Sequence, residues 1–214
     1  MRNDISIIDY GINNIQSVIQ AFNYIGVNTK IITTPNQLMD AKSIVIPGVG
    51  AFSEGIKKLK NLGLDKIIVK KAKEKVKILG ICLGMQLLFS RGYENEECEG
   101  LNLIPGEVKL ISRSSEHDRI PIIGWRKTKT AINYKDKKNQ ITKYLNNIDF
   151  YYLHSYQVIP ENKNDILAYY DNYGTSINSA VANNNIWGVQ FHPEKSGYEG
   201  LEFLKAFYNL NVNQ

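Results

Sequence analysis

The sequence lacks the features that are typical of a disulfide framework, a zinc site or a membrane span. Only two cysteines occur among its 214 residues, Cys82 in an apolar segment and Cys98 in an acidic one, and no Cys-x-x-Cys pair is present. We therefore expect a reducing compartment and no metal site. The most apolar of the stretches without a charged residue, Ile78 to Ser90, is too short to cross a bilayer, and no signal-peptide pattern precedes the first strand-like segment. We expect a cytoplasmic protein that does not bind membranes.

A strong excess of charge of one sign is also missing. The 26 basic and 21 acidic side chains leave a net charge of only +5, and the lysines are mixed with acids and asparagines. No Arg-rich stripe with interleaved aromatic residues is present, which disfavours a dedicated nucleic-acid-binding function. The sequence also contains neither Gly-x-x-x-x-Gly-Lys-Ser/Thr nor Gly-x-Gly-x-x-Gly, so a phosphate loop is disfavoured. We expect no nucleic-acid partner and no cofactor.

What is present is an alternation of short β-rich runs with segments whose apolar residues recur at helical spacing. In the first half of the chain this βαβα pattern predicts a parallel sheet flanked by helices. After Leu101 the pattern changes to strands punctuated by glycine and proline, which predicts additional antiparallel strands in the second half. We expect helices over Leu83 to Ser90 and over Tyr198 to Tyr208, and a polar surface excursion over Lys127 to Asn147. Since no linker or repeat is evident, residues 1–214 are expected to form one α/β domain with a mostly parallel, open sheet.

The segment around Cys82 carries the strongest chemical signal. A strand over Lys77 to Ile81 leads into this cysteine, with Gly80 two residues before it and Gly84 two residues after it. A nucleophile on a tight strand-to-helix turn has a strained backbone, and side chains at the flanking positions would collide with the crossing strand and helix. Gly-x-Cys-x-Gly is the cysteine form of this nucleophile elbow, and the helix that follows directs N–H groups at the sulfur, which favours thiolate. A buried cysteine that acts as a small hydrophobe is the alternative.

A thiolate nucleophile needs a proton shuttle, and the sequence offers three histidines. His192 ends an apolar strand, a proline stops the strand there, and Glu194 follows closely enough to accept the imidazole N–H and orient the ring. Cys82, His192 and Glu194 are therefore the candidates for nucleophile, base and orienting carboxylate. His117 lies in a polar loop, where we expect it to be solvated. His154 is either a satisfied core histidine or a residue that lines the substrate site.

A third element, Gly48-Val49-Gly50, follows another strand-like run. Two glycines around one apolar residue allow the backbone to turn N–H groups toward a developing oxyanion, as an acyl-transfer reaction requires. The motif is weak by itself, and a tight structural turn is the alternative interpretation.

Together these motifs resemble the class-I (triad) glutamine amidotransferases. Further matches, which occur in order along the chain, resemble the glutaminase subunits of imidazole glycerol phosphate synthases: Asp9-Tyr10-Gly11 with Asn14, Pro47 to Phe52, Gly100 to Gly106, Gly124-Trp125 and His192 to Ser196. This resemblance implies the class-I amidotransferase fold and hydrolysis of L-glutamine to glutamate and ammonia through a cysteine thioester. It further implies a partner, a cyclase subunit with a (β/α)8 barrel, which uses the ammonia to form imidazole glycerol phosphate and aminoimidazole carboxamide ribonucleotide in histidine biosynthesis.

The resemblance also assigns roles to individual residues. Cys82, His192 and Glu194 match the catalytic triad. The residues that match the oxyanion hole are Val49, Gly50 and Leu83. The residues that match the glutamine-binding positions are Gly48, Gln86, His154, Ser155 and Tyr156. The residues that match positions facing the cyclase and the ammonia passage are Trp125, Tyr151 and Lys195.

Three positions differ from the pattern that is usual in this family. Arg126 stands where asparagine usually follows the Gly-Trp pair, Ile122 stands where histidine usually follows a proline, and Asn13 replaces a small glycine. Because Arg126 and Ile122 lie in the stretch that would face the partner, a second acceptor stays open: a paralogous subunit that supplies ammonia for amidino-sugar formation in surface-glycan synthesis.

Two other classes of function are also open. One is a stand-alone cysteine hydrolase or peptidase on the same α/β scaffold, and the other is a non-catalytic binding module that has kept the fold. The intact set of cysteine, histidine and glutamate argues against the binding module. The lack of any domain for binding peptides argues against the peptidase.

Overall fold

The computed structural model describes residues 4–12, 14–113, 119–131 and 141–210. A nine-stranded sheet runs through this part of the chain. Its strands, in order across the sheet, are β2 (Thr29–Ile32), β1 (Ile5–Ile8), β3 (Ser43–Gly48), β4 (Lys77–Cys82), β13 (Ile186–Val189), β12 (Thr175–Asn183), β11 (Ile166–Asn172), β8 (Ile122–Thr130) and β9 (Ile148–His154). Neighbouring strands are parallel from β2 to β13 and antiparallel from β13 to β9. The predicted α/β fold, with antiparallel strands in the second half, is confirmed.

Apolar helix faces cover this sheet in two separate clusters. The helices are α1 (Ile15–Tyr24), α2 (Phe52–Asn61), α3 (Leu64–Lys73), α4 (Leu83–Leu87) and α5 (Gly197–Asn209). One cluster joins α1 and α5 to strand residues such as Val45 and Leu79, and the other joins α2 and α3 to Ile44 and Ile78. Because successive strand residues point to opposite faces, these neighbours show that the helices pack on both sides of the sheet.

A smaller sheet is formed mostly by the chain between β4 and β8, which is the region after Cys82. Its strands, in order, are β10 (Tyr156–Pro160), β7 (Ile104–Leu110), β5 (Phe89–Gly92) and β6 (Cys98–Glu99). The helix predicted over Leu83 to Ser90 is therefore wrong in its second half, since α4 ends at Leu87. The reason is tertiary pairing: the N–H groups of Leu101 and Leu103 donate to the carbonyls of Leu87 and Leu88, and β5 then pairs with β7.

The polar excursion predicted over Lys127 to Asn147 is also wrong at both of its ends. Its first residues, up to Thr130, belong to β8, which pairs with β9 and β11. Near its other end Ile141 and Leu145 are fully buried, while residues 132–140 lie outside the described ranges. The predicted closing helix is confirmed, since α5 extends it by one residue at each end.

Two of the sequence positions singled out above, Asn13 and His117, lie outside the described residues. Within the described ranges, no helix is both long enough and apolar enough to cross a membrane.

Candidate active site

Cys82 lies at the junction between β4 and α4, where the chain turns sharply. Its backbone angles are φ +54° and ψ −111°, and positive φ is an uncommon, strained choice for a residue with a side chain. A Cβ atom on Gly80 would lie 2.5 Å from the carbonyl oxygen of Gly84, and one on Gly84 would lie 1.7 Å from the carbonyl oxygen of Ile46. Both contacts are with backbone that cannot move aside. The predicted need for glycine on each side of the cysteine is confirmed.

His192 reaches the same edge of the sheet because β13 lies parallel to β4 and both strands end there. Its Nδ1 lies 2.8 Å from Oε1 of Glu194, and both side chains are only 2% exposed. The turn that carries them is held on two sides: Ser196 Oγ donates to the carbonyl of His192 at 2.6 Å, and the N–H of Tyr151 donates to Ser196 Oγ at 3.0 Å. The imidazole is thus fixed in direction by buried, hydrogen-bonded neighbours.

The electrostatics of this pair favour a charged imidazole. Burial by itself lowers the pKa of His192, but the neighbouring Cys82 sulfur and the Glu194 carboxylate outweigh it and raise this pKa to about 10. Since Nδ1–H donates to Glu194, Nε2 is the nitrogen left for proton transfer, and it is buried without a hydrogen-bond partner among the described residues. A thiolate beside an imidazolium is the arrangement that activates a cysteine nucleophile.

The Gly48-Val49-Gly50 loop runs beside the cysteine, and its two glycines serve different purposes. Gly50 has φ +109° with no atom within 4 Å of a Cβ placed on it, so it is needed for its backbone angle. Gly48 is needed for close packing, because its Cβ would lie 2.2 Å from the Tyr10 hydroxyl. The N–H of Val49 donates to the carbonyl of Ile12 at 3.2 Å. In this conformation the Val49 amide is therefore not available to an oxyanion.

A cavity of about 300 Å³ opens in front of Cys82. Eight of the fourteen predicted site residues line it, and the six that do not are Gly48, Trp125, Tyr151, His192, Glu194 and Lys195. The complete lining is Val49, Gly50, Ala51, Cys82, Leu83, Gln86, Glu94, Pro121, Leu153, His154, Ser155 and Tyr156. In the ranges that the structure describes, no cluster of three or more His, Cys, Asp or Glu residues is arranged to hold a metal ion.

His154 combines the two roles that the sequence left open. It lines the cavity, yet its Nδ1 lies 2.8 Å from the carbonyl of Tyr156 and its Nε2 lies 2.8 Å from the hydroxyl of Tyr170. Burial lowers the pKa of His154 to about 4, so the ring is neutral, donates from Nδ1 and accepts at Nε2. Both ring nitrogens are thus satisfied within the protein, and neither is free to bind a ligand.

Two polar residues at this site were missed from the sequence. Glu94 lines the cavity, and its Oε2 accepts the N–H of Phe52 at 2.8 Å; partial burial raises the pKa of this carboxyl. In the sequence, Glu94 is one of several acidic residues near Cys98, and nothing distinguishes it from the others. Gln190 is fully buried, and its Nε2 lies 3.7 Å from the Cys82 sulfur. Gln190 could have been identified from the sequence. A polar side chain at the end of an apolar strand is expected to be buried, and it then needs a hydrogen-bond partner inside the protein.

An exposed apolar surface borders Cys82. It is formed by two cross-strand pairs on β8 and β9, Ile123 with Leu153 and Trp125 with Tyr151, which we call the β8–β9 patch. Trp125 is 52% exposed and Ile123 is 55% exposed, and the rings of Trp125 and Tyr151 meet edge to face at 6.2 Å. The carbonyl of Leu153 lies 3.7 Å from the Cys82 sulfur. Lys195 is exposed on the turn that carries His192 and Glu194.

Comparison with known proteins gives consistent matches. A family model described as glutamine amidotransferase class-I matches residues 6–210. The chain is 43% identical over 205 residues to the imidazole glycerol phosphate synthase subunit HisH of Lactococcus lactis, covering 95% of this chain and 96% of that protein. It is 38% identical over 212 residues to imidazole glycerol phosphate synthase subunit HisH 1 of Legionella pneumophila, covering 96% of this chain and 99% of that protein.

Among solved structures, the fold is similar to one described as PurLQS from Thermotoga maritima. The TM-score is 0.74 with 19% sequence identity, and the match covers 98% of this chain and 99% of the other. At this level of identity the likeness concerns the fold alone.

Proposed function

The chain belongs to the class-I glutamine amidotransferases, and from this premise we propose that it is the glutaminase subunit of an imidazole glycerol phosphate synthase. The observation that carries the proposal is the strained Cys82 at an elbow beside the buried His192–Glu194 pair. Subunits with this name match the chain over almost their whole length. In this role the chain hydrolyses L-glutamine to glutamate and ammonia, and a cyclase partner uses the ammonia in histidine biosynthesis.

We assign the first half of the reaction to Cys82 and His192. The thiolate attacks the side-chain amide carbon of glutamine, so that a carbon–sulfur bond forms and the carbonyl oxygen becomes an oxyanion. When this intermediate collapses, the carbon–nitrogen bond breaks and the nitrogen takes the proton from Nε2 of His192 and leaves as ammonia. Glu194 keeps Nδ1 hydrogen-bonded, which directs Nε2 at the reacting atoms throughout.

In the second half a water molecule attacks the glutamyl thioester. The now neutral His192 accepts the proton of that water, the carbon–sulfur bond breaks, and glutamate leaves while the thiolate and the imidazolium are restored. The oxyanion in both halves would be stabilised by the N–H of Leu83, which begins α4, and by the Val49–Gly50 loop after it rearranges. We interpret the observed arrangement as a resting one, because the Val49 N–H is bonded to the Ile12 carbonyl.

Recognition of glutamine is assigned to the polar lining of the cavity. Glu94 has one carboxylate oxygen bonded to the N–H of Phe52, which leaves the other to accept the substrate's ammonium group. Gln86 is fixed through its Nε2, which donates to the carbonyl of Tyr156 at 3.2 Å, so its carbonyl oxygen can face a ligand. Ser155 and Tyr156 add polar groups at the same wall. A volume of about 300 Å³ suits one small amino acid.

The β8–β9 patch is assigned to docking of the cyclase, which we propose to be a (β/α)8 barrel in a heterodimer with this chain. Large exposed side chains such as Trp125 are unusual on a free surface and are typical of interface anchors. Because the patch adjoins the Cys82 sulfur through Leu153, ammonia could pass to a docked partner over a short, shielded distance. Lys195 would face the same partner. The cytoplasmic location and the single domain over residues 1–214 stay predictions.

Ammonia release from L-glutamine tests this function. We would measure it for the chain alone, with an imidazole glycerol phosphate synthase cyclase, and with that cyclase plus its nucleotide substrate. We expect glutamine turnover that rises with the partner and synthesis that depends on glutamine. Hydrolysis of peptides without ammonia release from glutamine would favour a peptidase, and the absence of any turnover would favour a binding module. If only a cyclase of the amidino-sugar pathway stimulated turnover, the acceptor would be that of the amidino-sugar pathway, and the glutaminase assignment would stand.

A further inference from the structure

We propose that Gln190 is a positioning residue for the nucleophile: its side-chain N–H holds the Cys82 sulfur as thiolate and in the rotamer that faces the cavity. Gln190 is fully buried, and its Nε2 lies 3.7 Å from the sulfur, within hydrogen-bonding distance for this larger atom. The inference rests on the proposed function, because it names a further group that prepares the same cysteine.

The direction of the Gln190 amide is set by a chain of hydrogen bonds. Gln86 donates from Nε2 to the carbonyl of Tyr156, which can only accept, so this amide group must present its N–H groups on that side. The same nitrogen donates to Oε1 of Gln190 at 3.2 Å. If the Gln190 amide were rotated by half a turn, its own N–H group would face the N–H group of Gln86, and no hydrogen bond could form between them. The end of Gln190 that faces the Cys82 sulfur is therefore the donor.

The titratable groups that face the sulfur are His192 and the buried Tyr10. Beside them, Leu153 and Gln190 offer the sulfur hydrogen bonds of opposite kind. The carbonyl of Leu153, at 3.7 Å, can accept a proton from the thiol but repels a thiolate. The Gln190 N–H stabilises the thiolate and has nothing to accept from the thiol. Gln190 thus supplies a donor beside the sulfur, whereas the Leu153 carbonyl offers only an acceptor. Gln86 also lines the cavity, so a ligand that contacts Gln86 would affect the same chain of hydrogen bonds.

The test is the pH dependence of Cys82 alkylation by iodoacetamide in the full chain, read by peptide mapping so that Cys98 is counted separately. Alkylation follows the thiolate fraction and needs no glutaminase activity. In Gln190→Met, which keeps the side-chain length and loses the donor, we expect the alkylation midpoint to move upward by about one pH unit or more. With the cyclase present, kcat should fall about 10- to 100-fold while KM changes little, since a bond to a charged atom is lost.

Two more variants make the outcome decisive if Gln190→Met folds poorly. Gln86→Met frees the Gln190 amide to rotate, and we expect a smaller upward shift of the same midpoint. Ser179→Ala is the matched control, because the buried Ser179 hydroxyl is hydrogen-bonded to Tyr152 and Thr128 and not to Cys82. The Ser179 carbonyl that accepts the N–H of Gln190 is kept in this variant, so its midpoint should equal that of the wild type. A midpoint unchanged in both Gln190→Met and Gln86→Met would overturn the proposal. Absence of glutaminase activity in the wild type would instead count against the proposed function.

Discussion

The bond between the Val49 N–H and the Ile12 carbonyl predicts that the chain alone is a poor glutaminase. In this conformation the Val49 amide is occupied, so one of the donors proposed for the oxyanion is missing. Loss of one oxyanion donor costs about 3 kcal/mol or more, which is a factor of about 100 to 1,000 in rate. Breaking the bond between Val49 and Ile12 costs only about 1 kcal/mol net, so a docked partner can readily supply the energy for the change.

The assay compares glutamine turnover by the chain alone, with the cyclase, and with the cyclase plus an acceptor ligand. Alkylation of Cys82 serves as an internal control, since it needs the thiolate but no oxyanion hole and should change far less with the partner. The perturbation is Gly50→Pro, because proline requires φ near −65° and the observed value is +109°. The loop then loses its resting geometry and its freedom to switch, so we expect this variant to fall well short of the stimulated rate of the wild type.

A matched control is available in Gly26→Ala. Gly26 also has a positive φ, +74°, with no atom within 4 Å of a Cβ placed on it, but it lies between α1 and β2, away from the cavity. Gly26→Ala should carry a similar backbone strain and keep the stimulation, whereas Gly50→Ala should reduce it. A lone chain as active as the stimulated complex, or full stimulation of Gly50→Pro, would show that this loop is only a structural turn.

Three further results are expected. Cys82→Ala should lose glutamine hydrolysis yet support synthesis by the cyclase from ammonium salt, while Cys98→Ala should keep near wild-type activity because burial and a nearby glutamate raise the pKa of that thiol; residual glutamine-dependent turnover in Cys82→Ala would contradict this. His192→Asn should lose about tenfold more activity than Glu194→Gln, since an amide can still accept the imidazole N–H, and equal losses would remove the distinction between their roles. The pKa of His154 is lowered to about 4, so the unfolded chain binds more protons between pH 6.5 and 4 and stability should fall on acidification by up to about 1.4 kcal/mol per pH unit. Urea titrations should show a flatter fall in His154→Gln, and an identical slope would refute the buried neutral ring.

The elbow could be predicted from the sequence because its requirements are local. Gly80, Cys82 and Gly84 lie within five residues, and a backbone clash at either glycine can be inferred without knowing the rest of the fold. The pairing of His192 with Glu194 is local for the same reason. Both are found where the sequence predicts them.

The parts that were missed depend on contacts between distant segments. The helix after Cys82 ends at Leu87 because Leu101 and Leu103 return to bind its last carbonyls, and no local periodicity reveals that return. Glu94 faces the cavity because its carboxylate accepts the N–H of Phe52, 42 residues earlier in the chain.

The most direct test of the central claim is to find the covalent intermediate. The chain would be mixed with L-glutamine and the cyclase, quenched in acid within one turnover and mapped by mass spectrometry. We predict a glutamyl group on the peptide that contains Cys82, absent without glutamine and accumulating to a higher level in a variant whose thioester hydrolysis is slowed. Ammonia release at full rate with no adduct on Cys82, or an adduct on Cys98 instead, would contradict the account.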